Sequence, residues 1–393
     1  MPITSPPKYV VSVLTRLELC GHRAFLVGGC VRDILMQRRP NDWDVCTSAL
    51  PEEVLAIFPK SRPTGLQHGT VTVCEHGSTV EVTTFRSDGD YSDHRHPEKV
   101  RFIPDLQGDL QRRDFTMNAI ALPLSGIIID PFGGRADIKN KLIRCVGDPD
   151  VRFNEDALRM LRALRFSAVL SFSLDDELLS SIKKNAALTL ALAPERICAE
   201  LEKILLSDTP QMLSDVIEAG LLSGFLGDFR APIPAKRLSV LPKNSSQRWA
   251  GFSALLLREK AISSAEEFLQ AMKLPAATIH NASRGCELVI NSAPRGKLGF
   301  KMLLSRNGTD CGKCAAAAAD VLYCPGHMKT LLSIMSCGDC YCLKRLAVTG
   351  DDLLELGFRG PELGRELYAL LDHVLEFPHD NNRELLLDLA RRK

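Results

Sequence analysis

Two patterns of apolar and polar residues divide the chain. Up to about Cys145, short β-rich runs alternate with helical stretches, at Ala24 to Val27, Val71 to Cys74, Thr79 to Phe85 and Ile127 to Ile129. In the third of these runs, period-two alternation sets Val80, Val82 and Thr84 on one face and Glu81, Thr83 and Phe85 on the other. This part reads as α/β or α+β. From Asp150 onward apolar residues recur at three- and four-residue spacing, as in Leu158, Leu161 and Leu164 and again in Leu201, Ile204 and Leu205. That is the repeat of an amphipathic helix, so the remainder is expected to be mostly helical. Breaks are expected at Gly147-Asp148-Pro149, through Ala231 to Ser246, and around Ala293-Pro294-Arg295-Gly296. The run Ala315 to Ala319 favours helix, and there is no internal repeat of fixed period.

Composition excludes several classes. The 393 residues are 45% hydrophobic and 25% charged, as in an average soluble globular protein. No run approaches the roughly 18 apolar residues of a membrane helix, and the start MPITSPPKYV lacks the pattern of a signal peptide. A cytoplasmic protein with no membrane partner is expected. Forty-nine Lys and Arg against 48 Asp and Glu leave a net charge of +1, so any nucleic acid must be met by local patches. Thirteen Cys, an odd number, argue for reduced thiols rather than a disulfide framework.

Candidate chemistry begins at Ala24 to Leu35, which reads as a buried strand, a Gly28-Gly29 turn and a helix. Such a turn lets backbone N–H groups approach a phosphate, with Arg32 as a charged donor; by itself it reads first as a tight strand-to-helix turn. Next comes Asn41-Asp42-Trp43-Asp44-Val45-Cys46-Thr47, where a strand would put Asp42 and Asp44 on one face. Two like charges that close suit a divalent cation carrying substrate phosphates, although an isolated pair also fits a solvated strand edge. If the Glu81 strand lies beside this one, Glu81 completes a three-carboxylate site.

Five motifs then occur in order: Leu26-Val27-Gly28-Gly29-x-Val31-Arg32-Asp33; Asn41-Asp42-x-Asp44-x-x-Thr47; Arg112-Arg113-Asp114-Phe115-Thr116-x-Asn118-Ala119; Asp130-Pro131-Phe132-Gly133-Gly134; and the run from Arg152 to Phe166. Together they resemble the class II tRNA nucleotidyltransferases, the CCA-adding enzymes, over about the first 210 residues. Pro194-Glu195-Arg196-Ile197 resembles the last helical motif of that family, and Leu346 to Leu354 resembles, more weakly, the tail of its bacterial members. The resemblance implies an α+β fold: a polymerase-β-like nucleotidyltransferase head with a mixed sheet at 1–147, then an all-helical neck at 148–212, body at 213–295 and tail at 296–393, the tail binding tRNA. It implies Mg²⁺ as cofactor on Asp42 and Asp44, with Glu81 as the third catalytic carboxylate. Gly28, Gly29 and Arg32 would meet the triphosphate, and Arg112, Arg113, Asp114 and Asn118 the sugar and phosphates. The partners would be tRNA, CTP and ATP; oligomeric state is not legible.

One helix is expected from Arg152 to Arg165, with Asp156, Arg159 and Arg162 near one face and Arg165 beyond them. By itself this is an exposed face with internal ion pairs. Cytosine and adenine, however, both present an amino donor beside a ring-nitrogen acceptor, and a carboxylate next to a guanidinium complements them while mismatching uracil and guanine. The resemblance assigns that selection to Asp156 and Arg159.

The polar segment Ser87 to Pro97 reads as a loop, with His94 and His96 as solvated histidines. In the family this loop often carries Arg-Arg-Pro; here Arg95-His96-Pro97 stands. Cys311, Cys314, Cys337 and Cys340 have knuckle-like spacing, but small reduced cysteines are the simpler account than Zn²⁺. The rival activities are a poly(A) polymerase or a partial CC- or A-adding enzyme, and more distantly a tRNA-binding protein without catalysis. Thr64 to Val73 favours the CCA-adding form over the first. His379-Asp380 reads as a turn.

Overall fold

The computed structural model describes residues 5–88 and 100–392. Contacts separate two units, Met1–Glu200 with Val216–Gly224 and Leu201–Asp215 with Phe225–Lys393. Most of the loop Ser87 to Pro97, including His94 and His96, lies outside the described residues.

The first unit is built on a six-stranded mixed sheet. Its elements run α1 (Lys8–Leu19), β1 (Ala24–Val27), α2 (Gly29–Leu35), β2 (Asp44–Thr47), α3 (Pro51–Ile57), β3 (Arg62–Gly65), β4 (Thr70–Glu75) and β5 (Ser78–Thr84). They continue through β6 (Arg86–Asp88), β7 (Val100–Phe102), α4 (Leu106–Gln111), β8 (Ala121–Leu122), α5 (Gly134–Asn140) and β9 (Leu142–Ile143). The strand order is β3-β4-β5-β2-β1-β8, with β2 parallel to β5 and the other neighbours antiparallel. Val45, Val71, Val73, Val80 and Val82 fill one face and pack with Val13, Leu14 and Leu17 of α1 and Val54 of α3 in a single core. The helix covers that face because its apolar residues recur every three or four positions. The opposite face carries Asp44, Glu81, Thr72 and Thr83 and, beside them, a second, smaller core in which Val27, Cys46, Phe85 and Ala121 pack with Leu106 and Leu110 of α4.

The structure departs from the sequence pattern in five places, two of them small: Ser87 and Asp88, expected in a loop, belong to β6 paired with β7, and Ser173–Leu174, in the neck expected to be all-helical, forms a short strand parallel to β9. β2 begins at Asp44, so Asp42 lies just ahead of the strand, though the alternation carries through it: Trp43 is buried between an exposed Asp42 and a half-buried Asp44. Ile127 to Ile129 forms no strand, only a bridge from Ile129 to Ala121. The expected single helix over 152–165 is two, α6 (Pro149–Glu155) and α7 (Leu158–Leu170). Asp156 has extended backbone (φ −142°, ψ 103°), and its side chain accepts the Leu158 N–H at 3.1 Å. A short carboxylate competing for backbone donors ends one helix and opens the next, which periodicity does not register. The unit continues with β10 (Ser173–Leu174), α8 (Asp176–Asn185) and most of α9 (Pro194–Leu205).

The rest of the chain is helical: α10 (Met212–Glu218), α11 (Ser223–Leu226), α12 (Ser245–Arg258), α13 (Ala265–Ala271), α14 (Ala276–Val289), α15 (Gly296–Leu322), α16 (His327–Ser336), α17 (Gly350–Glu355), α18 (Gly360–Glu376) and α19 (Arg383–Arg391). Trp249, Phe252 and Phe268 form an aromatic cluster with centroids 6.0–6.4 Å apart. A Cβ on Gly285 of α14 would lie 2.7 Å from the Ala315 nitrogen, so the Ala tract and this glycine let two helices approach closely. Gly308, at φ +77°, interrupts α15. No helix among the described residues is long and apolar enough to cross a membrane.

Candidate active site

The sheet brings the three carboxylates of the sequence pattern together. Asp44 on β2 pairs in register with Glu81 on β5, and Asp42 precedes Asp44 on the same side of Trp43. With Tyr9, Asn41, Thr72, Ser78 and Thr79 they line a cleft of about 670 Å³. None of the three carboxylates accepts a hydrogen bond among the described residues. Burial, followed by the charge of Glu81, pushes the Asp44 carboxyl above its ordinary value; Asp42 adds to this and Arg113 opposes it. This is uncompensated negative charge, the setting a cation would relieve. Among the described residues no three His, Cys, Asp or Glu side chains already converge as a metal-binding group.

The glycine turn lies against this cleft. Gly28 has φ +73°, a region glycine tolerates, and a Cβ there would come 3.2 Å from an Arg113 guanidinium nitrogen and 3.5 Å from Asp44 Oδ2. A larger residue would intrude on the site. Gly29 opens α2.

Behind the turn is a network of paired charges. Arg32 donates to Asn118 Oδ1 (3.0 Å) and to Asp33, and Asn118 donates to Asp114 Oδ1 (3.2 Å). Arg162 donates twice to Asp114 Oδ2, at 2.9 and 2.6 Å. Burial disfavours ionising Asp114, yet the Arg162 guanidinium outweighs it and holds the carboxyl at about 2. Arg112 and Arg113 both donate to Asp109, which is fully buried. The two guanidinium groups keep Asp109 below its usual range against the opposing effect of burial. The ring of Phe166 faces Arg165 at 3.6 Å, Arg32 at 5.2 Å and Arg162 at 5.5 Å.

Among the described residues the Asp156 carboxylate and the Arg159 guanidinium take different partners. Asp156 accepts from Arg196 at 3.0 Å, and Arg159, 8% exposed, donates to Glu155 at 2.5 Å and to the Arg112 carbonyl at 3.1 Å. Arg165 pairs with the buried Glu200 at 2.6 Å. Sequence reading therefore missed Asp109, Glu200 and the part played by Arg196. Asp109 was recoverable from its three- and four-residue spacing to Arg112 and Arg113. Arg196 and Glu200 reach α6 and α7 across many residues and carry no local signal.

Of the knuckle-spaced cysteines, Cys311 and Cys314 are buried within α15, where burial pushes their thiols up to about 11 and about 12; Cys337 is exposed and Cys340 buried.

Residues 24–144 match the family described as Poly A polymerase head domain, and residues 171–231 match Probable RNA and SrmB- binding site of polymerase A. The chain is 38% identical over 389 residues to a CCA-adding enzyme of Geobacillus sp. (strain WCH70), covering 96% of this chain and 95% of that one. A CCA-adding enzyme of Limosilactobacillus fermentum is 36% identical at the same coverage. The crystal structure of the Bacillus stearothermophilus CCA-adding enzyme in complex with CTP superposes with a TM-score of 0.80 at 33% identity, covering 99% of both chains. The carboxylate cleft, the glycine turn against it and relatives of this identity along nearly the whole chain lead to one conclusion: the protein belongs to the CCA-adding enzymes.

Proposed function

We propose that the protein adds C, C and A in turn to the 3′ end of tRNA from CTP and ATP, using the carboxylates of the sheet cleft. The observation that carries this reading is the placement of Asp42, Asp44 and Glu81 in one cleft beside the Gly28 turn. In the reaction the RNA 3′-oxygen bonds to the α-phosphorus, the bond from that phosphorus to pyrophosphate breaks, and the hydroxyl loses its proton.

The charge excess on Asp44 fits a divalent cation, and Asp42 and Asp44, with Glu81, would hold Mg²⁺, which would lower the hydroxyl pKa and offset charge on the phosphate. Gly28 and Gly29 let the triphosphate approach the backbone, while Arg113, oriented by Asp109, faces the same space. Arg32, on the triphosphate side, donates to Asn118 and so orients it toward the sugar. Asp156 and Arg159 select the base, exchanging Arg196 and Glu155 for the pairing edge of cytosine or adenine. The helical residues that follow hold the tRNA, and the reaction takes place in the cytoplasm.

The test is to incubate the protein with tRNA lacking its 3′ CCA, supplying each nucleotide separately and together, and to size the products to one nucleotide. Extension by C, C and A followed by arrest is expected. Long A tracts would indicate a poly(A) polymerase, and arrest after two C residues a CC-adding enzyme.

A further inference from the structure

We propose that the open face of β5, β4 and β3 is the track on which the 3′-terminal nucleotides of the RNA lie, with Thr72 and Arg62 as RNA-binding residues. This rests on the activity proposed above and adds to it the side from which the acceptor strand arrives.

The sheet order sets Asp44 between two flanks. On the β1 side lies the Gly28 turn, facing Arg113. On the other side the register gives a continuous row: Asp44 opposite Glu81, Glu81 opposite Thr72, Thr72 opposite Arg62. Directly opposed residues share a face of the sheet, so the row runs outward from the carboxylates along one surface. In-line transfer puts attacking and leaving oxygens on opposite sides of the phosphorus. With the triphosphate on the Gly28 flank, the attacking hydroxyl comes along the β5 flank.

The chemistry of the row fits a single RNA strand. The Thr64 and Thr72 hydroxyls bond to each other at 2.7 Å and those of Thr70 and Thr83 at 3.0 Å, and each keeps spare capacity for a ribose hydroxyl or a phosphate oxygen. Being uncharged, they leave the carboxylates free for a cation. Thr72 and Thr79 line the same cleft as Asp44 and Glu81, so the track is continuous with the reacting centre. Arg62 stands at the outer end on an exposed strand, without an ion-pair partner among the described residues. Three strand spacings separate it from Asp44, roughly 14 Å, within reach of a phosphate in the last few nucleotides. The row therefore ends in one cation where the RNA backbone brings negative charge.

Two equilibrium constants test this on the full-length protein: the Kd for tRNA lacking its 3′ CCA, by fluorescence anisotropy across a salt series, and the Kd for CTP. Arg62→Gln is expected to raise the tRNA Kd several-fold and to reduce the slope of log Kd against log salt by roughly 0.7 to 1, with CTP affinity as in the wild type. Arg62→Lys should restore the slope, since a point charge suffices for a phosphate, and Thr72→Val should give a smaller rise in tRNA Kd with no change in slope. An unchanged tRNA Kd and slope in Arg62→Gln would overturn the proposal, as would a change confined to CTP. Neither measurement needs turnover, so this failure is distinct from failure of the wild type to extend tRNA, which would overturn the activity instead.

Discussion

The cleft and the network behind it use the same residue types in opposite ways. In the cleft, Asp42, Asp44 and Glu81 lie near one another with no hydrogen-bond donor among the described residues, and Asp44 is pushed toward its protonated form. In the network each carboxylate has a guanidinium: Asp114 has Arg162, Asp109 has Arg112 and Arg113, Glu155 has Arg159, and Glu200 has Arg165. Compensated charge orients side chains and stabilises the fold, whereas uncompensated charge costs stability and is retained where a ligand completes it. Asp156 falls between the two, since its partner Arg196 is a single half-buried residue that a base could replace.

The contrast is most sharply tested by removing one carboxylate from each group. Asp44→Asn is expected to lower nucleotide addition about a thousand-fold or more, from the loss of several kcal/mol of transition-state stabilisation, while tRNA binding and the urea midpoint stay near wild type. Substantial turnover by this variant would undo the assignment. Asp114→Asn should instead lower stability, by about 2 to 3 kcal/mol in urea unfolding, because Arg162 loses its partner.

A pH series sharpens the same point. Asp114 titrates near 2 when folded and about 3.9 when unfolded, so its contribution is present above the unfolded value and is lost as pH falls through the folded one. The difference in urea midpoint between wild type and Asp114→Asn should therefore narrow from about pH 4 downward. A constant gap would mean that the pair does not govern this titration.

Nucleotide choice probes the intermediate case. Asp156→Ala should reduce the preference for CTP over UTP about ten-fold, and unchanged discrimination would show the selecting carboxylate to be elsewhere. Arg196→Ala keeps the carboxylate but frees it, and should alter kcat/KM for CTP only a few-fold. The smallest effect is expected at the cysteines: purified protein should carry less than one Zn²⁺ per chain by metal analysis, and a chelator should leave helicity unchanged.

Much of this was legible along the chain because it is local. Alternation fixes which residues of β4 and β5 face the core, the helical repeat fixes the buried stripe of α1, and a glycine at positive φ marks the turn at Gly28. Residue types at Asp42, Asp44 and Glu81 state that negative charge is to be concentrated. The break at Asp156 was not legible, since a side chain choosing a backbone donor over helix continuation leaves the spacing of apolar residues unchanged.

By itself, then, the sequence determined the faces of its strands and helices and the chemistry available on them, since period and residue type act within a few positions. Only the tertiary structure decided partnership. The parallel pairing of β2 with β5 sets Glu81 beside Asp44, and the return of α9 gives Arg196 to Asp156 and Glu200 to Arg165. Register and helix packing are set by the whole core, because many buried contacts at long separation must be satisfied together, and no single stretch of chain encodes them.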